Sequence, residues 1–449
     1  MTASGNLSII QTTAHEAHLN PETKTMTDYR KMWTELGMDL EAHDQLMESQ
    51  DKLFAKTHLS QKNRPLAMAL FDQAFHASHA ARVAELWEHR KKGGKAIGTF
   101  CIYVPDEIAL ALDVIPIPLC GGSDWPVSYA DKMLPRDICP IIRSTFGMAL
   151  SGTCPYSPLK DFIVGETTCD AKKKTWDLFG FKIMEVPQKK NDIDRELWRK
   201  EVAAFKDMME ELSGKKVSME NLAPAVRLVN RKRGALRRIN EFRKLEEPPI
   251  SGLDALLVSQ VAMNMDTGKF ISAAEELAEE LRDRAERGVS AYRNTPPAKR
   301  VMIAGTPSPM GYAKVQHIVE ASGLRIVVDE SCTGERYFRD LVDESPRRLP
   351  DMLNAIADRY FTIDCSCFSP NTERLDNIRG LVEDYRVDGV IHNILQYCHG
   401  YNIETKAIDN ILKDKGILSL KIVTDYSQED SGQIRTRVEA FAELLDERG

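Results

Sequence analysis

The chain carries nine cysteines, and three of them, Cys139, Cys154 and Cys169, follow one another at steps of fifteen residues. A thiolate is a soft metal ligand, so cysteines that converge on one point can hold a metal or a cluster, whereas a lone buried thiol is a small hydrophobe. Nine is an odd number and does not suit a disulfide framework; in a reducing compartment, metal or redox chemistry is the alternative to burial. Structural zinc uses paired CxxC knuckles and four ligands. The sole short spacing here is Cys365-Ser366-Cys367, and the thiols outnumber what one zinc needs. Soft thiolates dispersed over several loops suit an iron–sulfur cluster, although a contiguous ferredoxin-type run is absent.

Protonic groups lie close by in sequence. His392 and His399 flank Cys398 and are candidates for giving protons or hydrogen bonds to a cluster or substrate, with a satisfied core histidine as the bland reading of His392. Glu166, near Cys169, reads as a proton carrier or a structural cap. Glu107, after Val104-Pro105, reads as a first-turn helix acid. The segment GTPSPMG resembles a glycine turn able to hold a phosphate or carboxylate on backbone N–H groups. It is not GxGxxG, and a plain strand-to-helix turn is the preferred reading. No P-loop GxxxxGK[ST] occurs, so any ATP hydrolysis belongs to a separate protein.

The elements that must position these groups follow from periodicity. Residues up to about Lys24 are polar and aperiodic, and residues 26–92 place apolar side chains at three- and four-residue intervals. After Gly93-Gly94, strand patterns (AIGTFCIYV, VIPIPLC, DFIVGETTC, FKIMEVP) alternate with helical ones. A second series runs RVMIAG, RIVVDESC, YFTIDCSC, DGVIHNILQYC and LSLKIVTDY, again with helices between. Between them lie long amphipathic helices that end at Pro296-Pro297. The predicted class is α/β: two doubly wound parallel-sheet domains of Rossmann or flavodoxin-like type facing a cleft, plus a helical domain. The expected divisions are 1–92 (tail and helical segment), 93–215 (first α/β domain), 216–298 (helical linker layer) and 299–449 (second α/β domain).

Ligands of open parallel sheets bind beyond the carboxyl ends of the strands. Cys101, Cys120, Cys169, Cys332, Cys365, Cys367 and Cys398 all lie near or at such predicted ends, with Cys139 and Cys154 at helix or loop boundaries. Taken singly, each reads as a core residue; their shared placement argues for a common site.

Composition narrows the class. At 449 residues, about two to four domains are expected, and 43% hydrophobic with 28% charged residues describes a globular chain rather than a disordered one. A net charge of −7 argues against general nucleic-acid binding. The basic run at 227–243 reads as a helix with a solvated basic face. The start lacks a charged leader with an apolar core, and no run of about 18 apolar residues occurs, so the expectation is a cytoplasmic protein with no membrane span.

The ordered motifs GTFCIYVPDEIALALDVIPIPLC, LPRDICPIIRSTFG, CPY, VGETTCDAKKKTW, ESCTGERYF, CSCFSPN, DGVIHNILQYCHGY and TDYS resemble the 2-hydroxyacyl-CoA dehydratase and benzoyl-CoA reductase superfamily, and more closely its double-cubane cluster branch. The resemblance implies two α/β domains with clusters held in the cleft between them. It also implies an ATP-hydrolysing activator that carries its own 4Fe-4S cluster and delivers low-potential electrons. Carried over by motif, the ligands of the shared cubane are Cys101, Cys139 and Cys398. A double cubane (8Fe-9S) joins two cubanes through a sulfide and needs about six thiolates. The further ligands come from Cys154, Cys169, Cys332, Cys365 and Cys367, with Cys169, Cys332 and one of the CxC pair favoured because they end predicted strands; Cys120 is the expected plain core residue.

The implied function is ATP-driven reduction of a small molecule by a homodimer. The alternatives are a 2-hydroxyacyl-CoA dehydratase subunit with one 4Fe-4S cluster, and a non-catalytic electron carrier or cluster-storage protein.

Overall fold

The computed structural model describes residues 26–292 and 298–448. The polar stretch up to Lys24 and the Pro296-Pro297 pair lie outside the described residues. Strands β1 (Lys95–Thr99), β2 (Val114–Pro118), β3 (Phe162–Glu166) and β4 (Lys182–Met184) form one parallel sheet in the order β2-β1-β3-β4. Strands β5 (Arg300–Gly305), β6 (Arg325–Glu330), β7 (Gly389–Leu395) and β8 (Leu418–Thr424) form a second parallel sheet in the order β6-β5-β7-β8. The two sheets thus share one connectivity, and the resemblance in layout read from the sequence is a repeat of topology.

Each sheet is buried on both faces because its side chains alternate. In β5, Val301 and Ile303 join a core with Val319, Val438 and Phe441. The intervening Met302 and Ala304 join another with Ile378, Tyr385 and Ile408. In the first sheet Ile97 and Val164 pack with Trp198 and Val202, while Ile163 faces Phe146 and Trp176. In both sheets the chain reverses direction of winding between the two central strands, β1 and β3 in one and β5 and β7 in the other. A crevice opens at that point beyond the strand carboxyl ends.

A helical layer joins the halves. Helices Met219–Glu241, Gly252–Asn264 and Thr267–Glu286 share a core with Met68–His76 through Phe71, Phe75, Leu236, Leu257, Phe270 and Leu277. The helix Gly252–Asn264 is buried at every position from Gly252 to Ala262, so it has no polar face and its sequence shows no amphipathic period. Its start is marked by Ser251, whose Oγ accepts from the Asp254 backbone N–H at 3.1 Å.

Two expectations need correction. The basic run is a solvated face only in part: Arg227, Arg231, Arg237 and Arg238 are exposed, whereas Lys232, Arg233 and Arg243 are buried. Arg233 pairs with Glu107 of the first domain at 2.7 Å, and Arg243 with Asp329 of the second at 2.9 Å. Only Arg231 and Arg238 of the ion-paired cations are turned to solvent, toward Glu275 and Glu279. The segment YFTIDCSC is not a strand: Tyr360 and Phe361 finish the helix Leu349–Phe361, and the CxC pair occupies the turn that follows. That helix lies against Asp192–Ser213, where Trp198 Nε1 donates to the Ala357 carbonyl at 2.9 Å. A run of aromatic and β-branched residues fits either state, and burial of Met352, Ile356 and Tyr360 at helical spacing decides it.

No helix among the described residues is long and apolar enough to cross a membrane.

Candidate metal centre

Each thiol is placed by an element end. Cys101 follows β1, Cys120 follows β2 and Cys332 follows β6, each by two residues. Cys139, Cys169 and Cys398 are the residues that cap the N-termini of helices Pro140–Leu150, Asp170–Leu178 and His399–Asp414. Cys154 lies in the turn after the first of these helices, and Cys365 and Cys367 in the turn after Leu349–Phe361. All nine line one cavity of about 540 Å³ onto which the carboxyl edges of both sheets open.

The thiols interact across the gap between the sheets. Cys101 of the first domain and Cys332 of the second perturb each other, the pairing raising the Cys101 thiol and lowering the Cys332 thiol, with the Arg336 guanidinium lowering Cys332 further. The neighbouring Cys367 lowers the Cys365 thiol, against its burial and with help from Arg336 and Tyr401. Burial raises Cys139 to about 11, and burial followed by the neighbouring Cys139 raises Cys398. Cys154 differs: it packs beside Trp33, Tyr156 and Leu159, and the charged group that acts on it is Lys160, not another thiol. Cys120 donates its S–H to the Phe100 carbonyl at 2.6 Å.

Among the described residues no three Cys, His, Asp or Glu side chains are close enough to share one metal ion. A mononuclear site therefore does not fit. A cluster fits better, because each iron of a cubane takes its own terminal thiolate and the ligands stand apart around the cluster. The donor set is soft and comes from both sheets; Cys139, Cys332 and Cys365 are buried, Cys169 is exposed and the others are half-buried.

The two histidines separate. His392 is buried, with Nε2 2.9 Å from Asp409 Oδ1, and is not part of the cavity wall; it is a satisfied core histidine. His399 is exposed and lines the cavity. Glu166 is fully buried at the end of β3 and caps no helix. One of its oxygens accepts from Lys172 and the other has no hydrogen-bond partner among the described residues. Burial alone would lower the Lys172 ammonium, but Glu166, followed by Cys101, Cys120 and Cys169, outweighs it and holds this lysine well above its ordinary value. Lys172 is thus a fixed cation among the thiols that sequence reasoning missed. In the run AKKKTW it looks like part of a solvated helix face.

The segment GTPSPMG is a plain strand-to-helix turn. Its helix begins only at Lys314. Thr306 Oγ1 donates to the Asn393 carbonyl at 2.8 Å, and the Ser308 N–H donates to Thr333 Oγ1 at 3.0 Å, so these groups are already engaged within the protein.

Gly334 holds Cys332 and Arg336 in place. A Cβ there would stand 2.1 Å from the Asp329 carbonyl oxygen. Gly334→Ala is expected to cost about 1–3 kcal/mol, read as a lower midpoint in thermal unfolding of the purified chain.

The model of the family described as 2-hydroxyglutaryl-CoA dehydratase, D-component, matches residues 101–445. The chain is 36% identical to the putative dehydratase subunit YjiM of Escherichia coli (strain K12) over 384 residues, covering 84% of this chain and 98% of that protein. It is 24% identical to the (R)-phenyllactyl-CoA dehydratase beta subunit of Clostridium sporogenes, covering 79% and 92% of the two chains. With a benzoyl-CoA reductase subunit of Thauera aromatica it shares 23% identity over 81% of this chain and 94% of the other. The chain belongs to the 2-hydroxyglutaryl-CoA dehydratase D-component family, within the 2-hydroxyacyl-CoA dehydratase and benzoyl-CoA reductase superfamily.

Proposed function

We propose that this chain is the iron–sulfur subunit of a reductase whose cavity holds an 8Fe-9S double cubane, and that a separate ATP-hydrolysing activator with its own 4Fe-4S cluster supplies its electrons. The observation that carries this reading is the convergence of nine thiols from both sheets on one cavity, more than a single cubane uses. Cys101, Cys139 and Cys398 would hold one cubane, and Cys169, Cys332 and Cys365 the other. Cys365 is chosen over Cys367 because it is the more deeply buried of the two and its sulfur lies 3.6 Å from the Tyr401 hydroxyl. Cys154 is set aside for its lack of thiol neighbours.

When bound, such a group supplies low-potential electrons to a small molecule in the cavity. The protein supplies the rest. Lys172, held charged by Glu166, offsets the negative charge of the thiolates. His399 stands on the wall, where it is placed to pass protons between solvent and substrate. Leu110, Ile115, Leu119, Met148, Met263 and Met310 give the cavity an apolar lining that excludes water. Because one chain carries a complete ligand set, the assembly proposed is a homodimer.

The names of the relatives favour a second reading, a dehydratase subunit with one 4Fe-4S cluster. Iron and acid-labile sulfide per chain after anaerobic purification separate the two: about eight irons are expected, and about four would replace the double cubane with the dehydratase reading. A loaded protein that reduces no substrate with activator and ATP would instead be a carrier or storage protein.

A further inference from the structure

A group of buried polar residues stands next to the thiols without supplying any candidate ligand. Arg336 is fully buried, and its guanidinium is held on every side. Nε donates to Glu330 Oε1 at 2.7 Å, and Nη2 donates to the backbone oxygens of Gly305 and Glu330 at 3.1 and 3.0 Å. Nη1 remains. It donates to the Tyr401 hydroxyl and lies 3.7 Å from Cys332 Sγ, within reach of an N–H···S hydrogen bond.

Tyr401 is held equally firmly. Its ring lies against two guanidiniums, with the Arg336 and Arg374 carbons 5.1 and 4.8 Å from its centroid. Arg374 is itself fixed by Glu330 at 2.8 Å. The phenol oxygen already accepts from Arg336, so its own hydrogen is free to be donated, and Cys365 Sγ stands 3.6 Å away. Both contacts fall on sulfurs of the second domain.

We propose that Arg336 and Tyr401 are positioning residues that set the reduction potential of the bound cluster by donating hydrogen bonds to Cys332 and Cys365. The inference rests on the cluster reading above and extends it to residues outside the ligand set. A donor to a thiolate draws electron density from the iron–sulfur unit and favours the more electron-rich, reduced state. Removing the donor therefore makes reduction harder. A charge-assisted hydrogen bond in a buried site amounts to about a factor of ten in an equilibrium constant.

The test is a redox titration, followed by electron paramagnetic resonance and absorbance, of the anaerobically purified full-length holoprotein alongside Tyr401→Phe and Arg336→Lys. Tyr401→Phe keeps the ring against the guanidiniums and deletes only the O–H. Its iron content should equal wild type, while the equilibrium shifts about tenfold toward the oxidised cluster, about 59 mV more negative for a one-electron couple. Arg336→Lys keeps the charge, loses the planar fork and should shift the potential in the same direction. Unchanged iron with an unchanged potential in Tyr401→Phe overturns the proposal. Loss of iron from that variant overturns it too, since the phenol would then serve assembly rather than potential. Iron absent from wild type fells the cluster reading itself, so the two failures are told apart by the wild-type iron count.

Discussion

Replacing Cys398 by alanine is expected to remove at least one cubane's share of the iron, about four atoms per chain, whereas Cys120→Ala retains the wild-type amount. Both thiols line the same cavity and both follow a strand, so position alone does not distinguish them. Their bonding does. Cys120 already spends its S–H on the Phe100 carbonyl at 2.6 Å, which ties the sulfur to the wall. Cys398 opens a helix at the carboxyl edge of β7, and the neighbouring Cys139 raises its thiol. Burial and a like neighbour penalise a free thiolate there, and bound iron would remove that penalty. The measurement is iron per chain in anaerobically purified variants, with melting curves to show that each is folded. Equal iron in the two variants would refute the ligand assignment.

Much of this site was legible because strand ends are marked in sequence by changes of period and by glycine or proline. Cys101, Cys169, Cys332 and Cys398 lie where a parallel sheet directs its loops, and the structure brings them to one cavity. What the pattern does not carry is the partner of a charged side chain. Lys172 and Arg233 sit in basic runs that look solvated, yet each finds a buried carboxylate from a distant segment or a strand end, Glu166 and Glu107. Nothing in local composition separates a solvated cation from one that is paired after folding. The helix Gly252–Asn264 and the segment YFTIDCSC were obscured for a related reason. When a stretch is buried all round or packs against another domain, its period reports its neighbours rather than its own state.

Arg233→Met is expected to be the most destabilising single change among the buried ion pairs, by about 3–5 kcal/mol. Arg233 Nη1 lies 2.7 Å from Glu107 Oε1, its Nη2 lies 2.9 Å from the Tyr360 hydroxyl, and that hydroxyl donates to Glu107 Oε2 at 2.8 Å. The triad joins the helical layer, the first domain and the helix Leu349–Phe361 in one buried contact. Burial would raise the Glu107 carboxyl, but Arg233 and then Arg359 outweigh it and hold it below its ordinary value of 4.5. A carboxyl depressed on folding contributes stability that is present above the unfolded value and lost as pH falls through the folded one. Removing Arg233 takes away the larger of the two cations, so burial raises the group and the sign of this contribution reverses. The gap in melting temperature between wild type and Arg233→Met should therefore be wide near pH ~7 and narrow toward pH ~4. The double variant Arg233→Met/Glu107→Gln should recover much of the loss, because no unpaired charge remains and the amide still bonds Tyr360. Thermal unfolding of wild type and the two variants across that pH range is the measurement, and a gap that widens toward low pH would show that Glu107 is not the group left uncompensated.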